Sequence, residues 1–298
     1  MIHHSVCPLC KSPDISSSVT CTDHLVSGEN FEVFRCSGCS FTFTQDSPEE
    51  SDSGKYYESE EYISHSDSRK TLFDKMYQLA RRIMLNRKKR IVTKICRCST
   101  GSILDIGTGT GHFLVSMKRA GWKTEGIELN MKAREYAASM FDLNLLSPEE
   151  IFLLPDKSFE CITLWHVLEH FHEPFKYFYE IKRLIKPEGA VIVALPNTDS
   201  YDSKYYGQYW AAYDVPRHLW HFNPDVFLSF AGENGFSVSS RSYLPFDVFY
   251  ISILSEKYRG TRFPFVSGIM RGIIFSLASL FRKSRSSSII YILRNSGI

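Results

Sequence analysis

Two pairs of cysteines set the first chemistry. Cys7-Pro8-Leu9-Cys10 and Cys36-Ser37-Gly38-Cys39 are C-x-x-C turns with 25 residues between them. Each turn puts two thiolates on one side of a tight loop, and two turns joined by a hairpin make a tetrahedral sulfur cage suited to Zn²⁺. Between and after them, Phe31–Phe34 and Phe41–Phe43 have the apolar pattern of short strands. A unit of about 40 residues cannot bury an adequate core alone, and a metal supplies the missing stability. Cys7, Cys10, Cys36 and Cys39 are the expected ligands, with Cys21 and His24, which lie between the pairs, as alternatives. Four thiolates close the metal's shell, so the site reads as structural. Cys96, Cys98 and Cys161 follow no pairing pattern and read as packed thiols.

A second chemistry begins at Ile103-Leu104-Asp105-Ile106-Gly107-Thr108-Gly109-Thr110-Gly111. An apolar strand run ends in an acid and then a glycine turn that opens a helix. Glycines let a backbone approach a ligand closely, and the helix N-terminus lies beneath that ligand. Asp105, two residues before the first glycine, is placed to receive an ammonium group rather than a pyrophosphate. Glu128 closes the next strand, 17 residues after Gly111, where an acid can bond a ribose diol. Farther on come Phe159–Leu164, Trp165-His166-Val167-Leu168-Glu169-His170, and Glu180–Gly189 leading into the strand Ala190–Leu195.

Over about residues 95–245 these motifs resemble the class I S-adenosylmethionine-dependent methyltransferases, in the branch of the ubiquinone-type O-methyltransferases. The cysteine unit and the Tyr-rich segment after it are also similar to bacterial methyltransferases related to sugar C-methyltransferases. The resemblance implies a Rossmann-like α/β sheet with a small N-terminal zinc ribbon. It implies that Asp105, Gly107, Thr108, Gly109 and Gly111 cradle the methionine and ribose of S-adenosyl-L-methionine, that Glu128 takes the ribose hydroxyls, and that His166 flanks the cofactor. Tyr57 and Tyr62 are candidates to close over it. The chain departs from the family pattern at Pro148, Glu160 and Glu188, where Asp, Asp and Gly are usual.

Asp214-Val215-Pro216-Arg217-His218-Leu219-Trp220-His221-Phe222 follows the fifth expected strand, after the aromatic run Tyr205–Trp210. Rings stack on sugars, Arg binds anions, and His accepts a proton near neutral pH. His218, His221 and Arg217 are therefore the catalytic candidates. The sugar C-methyltransferases carry their base in a Glu-His pair; here His218 matches the His and Arg217 replaces the Glu, so His218 is the first choice of base.

Three kinds of element must position these groups. A ribbon is expected over residues 1–45, an acidic connector and basic helix over 46–95, and the cofactor domain over 96–298. Leu72, Met76, Leu79, Ala80, Ile83, Met84, Ile91 and Ile95 mark the helix stripe, and Arg81, Arg82 and Arg87–Arg90 its other faces. Gly235–Val238 and Ser288–Leu293 read as closing antiparallel strands around an insertion at about 247–286. Inside it, Val266, Ile269, Met270, Ile273, Ile274, Leu277 and Phe281 share one helical face. With Arg271 inside and Arg282, Lys283 and Arg285 behind, residues 266–285 suit a helix in a bilayer interface, a lid or a dimer helix.

The near-neutral charge of the chain hides blocks of opposite sign. Residues 1–67 hold 3 Lys/Arg against 12 Asp/Glu, and residues 257–298 hold 8 against none. An acidic ribbon repels phosphate, which argues against a nucleic-acid methyltransferase or a nucleic-acid-binding module. The intact Asp and Gly positions argue against a non-catalytic scaffold. The expected function is methyl transfer to a hydroxyl or carbon of a sugar-containing or lipid-linked small molecule. With no basic and apolar leader after Met1, the expected location is the cytoplasm or the cytoplasmic face of its membrane.

Overall fold

The computed structural model describes residues 1–57 and 72–297, with backbone alone for 72–77. Tyr62 lies outside the described residues.

Strands β1 (Ile15–Thr22), β2 (Asn30–Cys36) and β3 (Thr42–Thr44) form the N-terminal antiparallel sheet. Helix α1 spans Leu72–Cys96. The main sheet then begins with β4 (Ser102–Ile106), α2 (His112–Lys118), β5 (Lys123–Ile127) and α3 (Met131–Phe141). It continues with β6 (Phe159–Trp165), α4 (Pro174–Leu184), β7 (Ile185–Pro196) and α5 (Tyr201–Tyr206). After these come β8 (Trp220–His221), α6 (Pro224–Glu233), β9 (Phe236–Tyr243), α7 (Asp247–Tyr258), α8 (Pro264–Phe281) and β10 (Ser288–Asn295).

The main sheet has six strands in the order β5-β4-β6-β7-β10-β9. β5, β4, β6 and β7 run parallel, while β10 pairs antiparallel with β7 and β9. Strands covered on both faces must be apolar nearly throughout, and Ala190–Leu195 in β7 is at most 1% exposed. Local signals set the helices: the Asn130 side chain accepts from the Ala133 N–H at the start of α3, and Asn223 caps α6 just before Pro224. Glu160 replaces the family's Asp without loss of a partner. It accepts from the Ser102 N–H at 2.6 Å and pairs with Lys186, tying β6 to its neighbours.

The ribbon is not a detached module. β8 leaves the cofactor domain and joins the ribbon sheet, in the order β1-β2-β3-β8, with Phe43 opposite Trp220 and Thr42 opposite His221. Phe41 stacks on Trp220 at 5.9 Å and meets Phe222 at 5.5 Å. One apolar core thus runs from Cys7 and Phe43 to Leu104 and Val193. Helix α1 differs from its expected stripe. Met84, Leu85, Ile91, Val92 and Ile95 pack on the sheet domain, whereas Leu79 and Ile83 are exposed; the side chains of Leu72 and Met76 lie outside those described.

Candidate functional site

The first half of the site is the end of β4. Asp105 is 2% exposed and accepts from the Thr163 hydroxyl at 2.5 Å. Burial pushes its carboxyl up to about 6, against the pull of the Thr163 hydroxyl and of Lys88. Gly107 is held at φ +69°, and a Cβ there would meet Val167 at 2.4 Å, so neither conformation nor space admits a side chain. The loop ends at Gly111, the left-handed N-cap of α2. Glu128 reaches back over the loop: its carboxylate accepts from the Gly109 N–H at 2.7 Å and the Asn130 N–H at 2.9 Å.

These groups fit the cofactor expected of them. The Thr108 hydroxyl is buried beside the Asp105 carboxyl and pulls its pKa down. A buried hydroxyl, a glycine-rich loop open to close approach and two acids are groups that suit an amino-acid and ribose moiety. Lys88 of α1 adds a cation. Its Nζ lies 4.5 Å from the Trp165 ring centroid and faces Asp105 and Asp247, and burial lowers its pKa. Sequence reading placed Lys88 on the basic outer face. Its spacing of four from both Met84 and Val92 was the signal that it faces inward.

The second half is a cluster of histidines and acids. His218 is buried, and its Nδ1 lies 2.9 Å from the Ala212 carbonyl. A carbonyl only accepts, so Nδ1 is the donor here, and in the neutral ring it is Nε2 that offers a lone pair. Nε2 stands 3.8 Å from Asp214 Oδ2 and 4.0 Å from Glu169 Oε1. His170 turns Nδ1 to the Arg217 carbonyl at 3.1 Å and the Tyr57 hydroxyl at 3.2 Å. Burial and the neighbouring His218 lower its pKa to about 4, so the ring is neutral. Glu169 is 1% exposed, with neither carboxylate oxygen hydrogen-bonded among the described residues. Burial would raise its pKa, but His166, His218 and His170 hold it low. Glu169, His170 and His218 bring their ligand atoms within 4.8 Å of one another, a set that can share a proton or receive a cation.

The structure gives four expected site residues partners that the sequence did not indicate. His166 sits at φ +59° just beyond β6, with Nε2 2.8 Å from Asp247 and Nδ1 3.4 Å from Glu169. Burial would lower its pKa, but the two carboxylates raise it to about 10. Its ring is a charged bridge between the cluster and α7. Tyr57 reaches the histidine cluster through His170. His221 bonds the Thr44 hydroxyl at 2.9 Å, and burial followed by His218 drives its pKa to about 3. A ring so reluctant to take a proton is a poor base, and it holds the ribbon seam.

Arg217 corrects the expectation of an anion-binding side chain. It is 1% exposed, donates to Asp23 at 2.9 Å and to Asp214 at 2.8 Å, and donates to the Tyr56 carbonyl at 3.0 Å. Burial alone would lower its pKa, but the carboxylates of Asp214 and Asp23 more than reverse this. Arg217 locks the ribbon to the loop that carries His218. Breaking such a buried set leaves uncompensated charge. Arg217→Ala is accordingly expected to lower unfolding stability by about 3–5 kcal/mol, measured by chemical denaturation. A change in acceptor KM at unchanged stability would instead return Arg217 to the acceptor.

The cysteines come together as expected from their spacing. Cys7 Sγ lies 3.6 Å from Cys39 Sγ, and Cys10 Sγ 3.6 Å from Cys36 Sγ. Tetrahedral zinc with sulfur at about 2.3 Å sets its ligands about 3.8 Å apart, so the cage fits. Backbone amides at Leu9 and Cys10 bond Cys7, and those at Gly38 and Cys39 bond Cys36. Neither alternative ligand joins them. Cys21 packs with Phe31, Val33, Tyr56 and Val215, and His24 stacks on Tyr258 at 4.3 Å. Sequence reading assigned no role to Glu169, Asp214 or Asp247. Glu169 was within reach, as the acid between two candidate histidines, but Asp247 stands 81 residues from His166.

A family profile described as a methyltransferase domain matches residues 72–241. The demethylmenaquinone methyltransferase of Thermotoga maritima is 28% identical over 153 residues, covering 46% of this chain and 67% of its own length. The ubiquinone biosynthesis O-methyltransferase of Thiobacillus denitrificans is 29% identical over 105 residues, covering 33% of this chain and 45% of its own. The match thus spans less than half of the latter relative. Among solved structures, a SAM-dependent methyltransferase from Archaeoglobus fulgidus superposes with a TM-score of 0.51 at 18% identity, over 76% of this chain and all of that one. At that identity the likeness speaks for the fold.

Proposed function

Because the chain belongs to the class I S-adenosylmethionine-dependent methyltransferase family, we propose that it methylates a hydroxyl or carbon of a sugar-containing or lipid-linked small molecule, with His218 as base. The observation that carries this reading is the placement of the His218 ring, with Nδ1 on the Ala212 carbonyl and Nε2 facing Glu169 and Asp214. A proton taken from the acceptor makes an imidazolium, and the two carboxylates stabilise it where it forms.

S-adenosylmethionine supplies an activated methyl group on a sulfonium, so the chain has to position, desolvate and deprotonate. Asp105 and Thr108 would hold the amino-acid end with Lys88 nearby, Gly107, Gly109 and Gly111 would admit its backbone-close approach, and Glu128 would take the ribose. Glu169 ties this half to the base through His166 and Asp247. The names of the curated relatives point to quinone substrates on those proteins, which supports a hydroxyl or ring carbon on an apolar carrier here. Four thiolates at ribbon spacing support one structural Zn²⁺.

The test is incubation of the full chain with methyl-labelled cofactor and fractionated lysate. Label is expected in a lipid-linked or sugar-containing fraction, and Asp105→Ala is expected to abolish its appearance. Label in RNA alone would overturn the acceptor class, and the acidic ribbon argues against it.

A further inference from the structure

Helix α8 is built to be covered on two sides. Gly268, Gly272 and Phe275 are its buried face. A Cβ at Gly268 would meet the Ile253 backbone at 2.5 Å, and one at Gly272 would meet the Phe249 ring at 2.5 Å, so the glycines bring α8 directly onto α7. Arg271 lies on this same inner side, its guanidinium 4.4 Å from the Tyr205 ring centroid. The single charge within the helix is thereby turned toward the protein.

The outer side is apolar and open. Val266 is 57% exposed, Met270 59%, Leu277 55%, Leu280 57% and Phe281 94%, with Ile273 and Ile274 about half exposed. These positions recur at helical spacing, so they form one continuous face rather than scattered residues. Arg262 precedes the helix, and Arg282 and Lys283 follow it, all exposed. Residues 257–298 contain no acid.

The helix is 18 residues long and apolar enough to cross a bilayer by length and composition alone. Its connections forbid a single crossing. β9 precedes the α7–α8 hairpin and β10 follows it, and the two pair from Ile289–Tyr243 to Asn295–Phe236. One passage through a membrane would place these paired strands on opposite sides. α7, at 12 residues, is too short to return.

We infer that α8 lies in the plane of an anionic membrane surface, with its outer face among the acyl chains and Arg262, Arg282 and Lys283 at the headgroups. A second copy of the chain would suit the apolar face but would bring these like charges together. An anionic lipid surface complements both. Because α7 starts at Asp247, which pairs with His166 at 2.8 Å, the seated hairpin adjoins the histidine cluster.

Flotation of the full chain with vesicles tests this. Binding to phosphatidylcholine vesicles containing about 30 mol% phosphatidylglycerol is expected to exceed binding to phosphatidylcholine alone by about 10-fold, and to weaken in high salt. Ile273→Glu with Leu277→Glu should abolish it while melting temperature and cofactor binding are retained. Arg282→Gln with Lys283→Gln should remove the preference for the anionic vesicles. Failure of the unaltered chain to float, or undiminished flotation of the Glu variant, overturns the inference. So does a dimer in light scattering that the Glu variant dissociates, since the face would then belong to a second copy. These readouts do not depend on methyl transfer, so they stand or fall apart from the proposed activity.

Discussion

Replacing His218 by alanine is expected to reduce methyl transfer by about 10²–10⁴-fold, the range for loss of a positioned base, with cofactor affinity by calorimetry unchanged. The split follows from the two halves of the site. Asp105, Thr108 and Glu128 lie on the ends of β4 and β5, whereas His218 sits on the loop between α5 and β8. What alanine removes is a ring whose orientation is fixed by the Ala212 carbonyl 2.9 Å from Nδ1, leaving Nε2 to face the acceptor side. Glu169→Gln should act in the same direction but less strongly, lowering kcat with acceptor KM unchanged, because it withdraws a charge that matters once His218 has taken the proton. His221→Gln is the contrast. That ring bonds Thr44 and has a pKa of about 3, so its loss should weaken stability rather than the chemical step. Full turnover in His218→Ala would remove His218 from the mechanism.

Local features were legible in the sequence, and features made by distant contacts were not. The glycine loop is readable because strand, acid, turn and helix follow one another within a dozen residues. The cysteine cage is readable because two tight turns carry their geometry with them. Glu128 is readable from its place at a strand end. Arg217 shows where such reading stops. A basic side chain among aromatics suggests an anion site, but its partner Asp23 lies 194 residues away, and burial of that pair decides its role. His221 likewise depends on Thr44 at a separation of 177 residues. Lys88 was obscured for a different reason: its neighbours in sequence, Arg87 and Lys89, are basic too, and helical phase alone separates it from them. The two-residue strand Trp220–His221 carries no pattern of its own and exists because β3 is there to pair with it.

That pairing joins the cysteine unit to the loop that carries His218, and it predicts the effect of losing a metal held by the four cysteines. Zinc is expected at one equivalent per chain by elemental analysis, and Cys36→Ser with Cys39→Ser should lose it, while Cys21→Ser should keep it because Cys21 packs apart from the cage. Metal-free protein should lose about 10²-fold or more in transfer, as misplacement of a catalytic group by about 1 Å costs. The route is short. β3 has three residues, and its Thr44 hydroxyl donates to the His218 carbonyl at 2.7 Å while the Thr44 N–H donates to the Leu219 carbonyl at 2.9 Å. Asp23, in the turn after β1, holds Arg217 from the other side. β3 follows directly on the Cys36–Cys39 turn, so loss of a metal that fixes this turn is expected to shift the strand that presents Thr44. With Thr44 and Asp23 displaced, both sides of His218 lose their ties, and Nε2 no longer stands opposite Glu169 and Asp214. Cofactor binding should survive, because the glycine loop and Glu128 are fixed by the main sheet. Undiminished transfer by protein shown to be free of zinc would separate the ribbon from the chemistry. Loss of transfer with cofactor affinity retained would identify the ribbon as the support that holds the base in position.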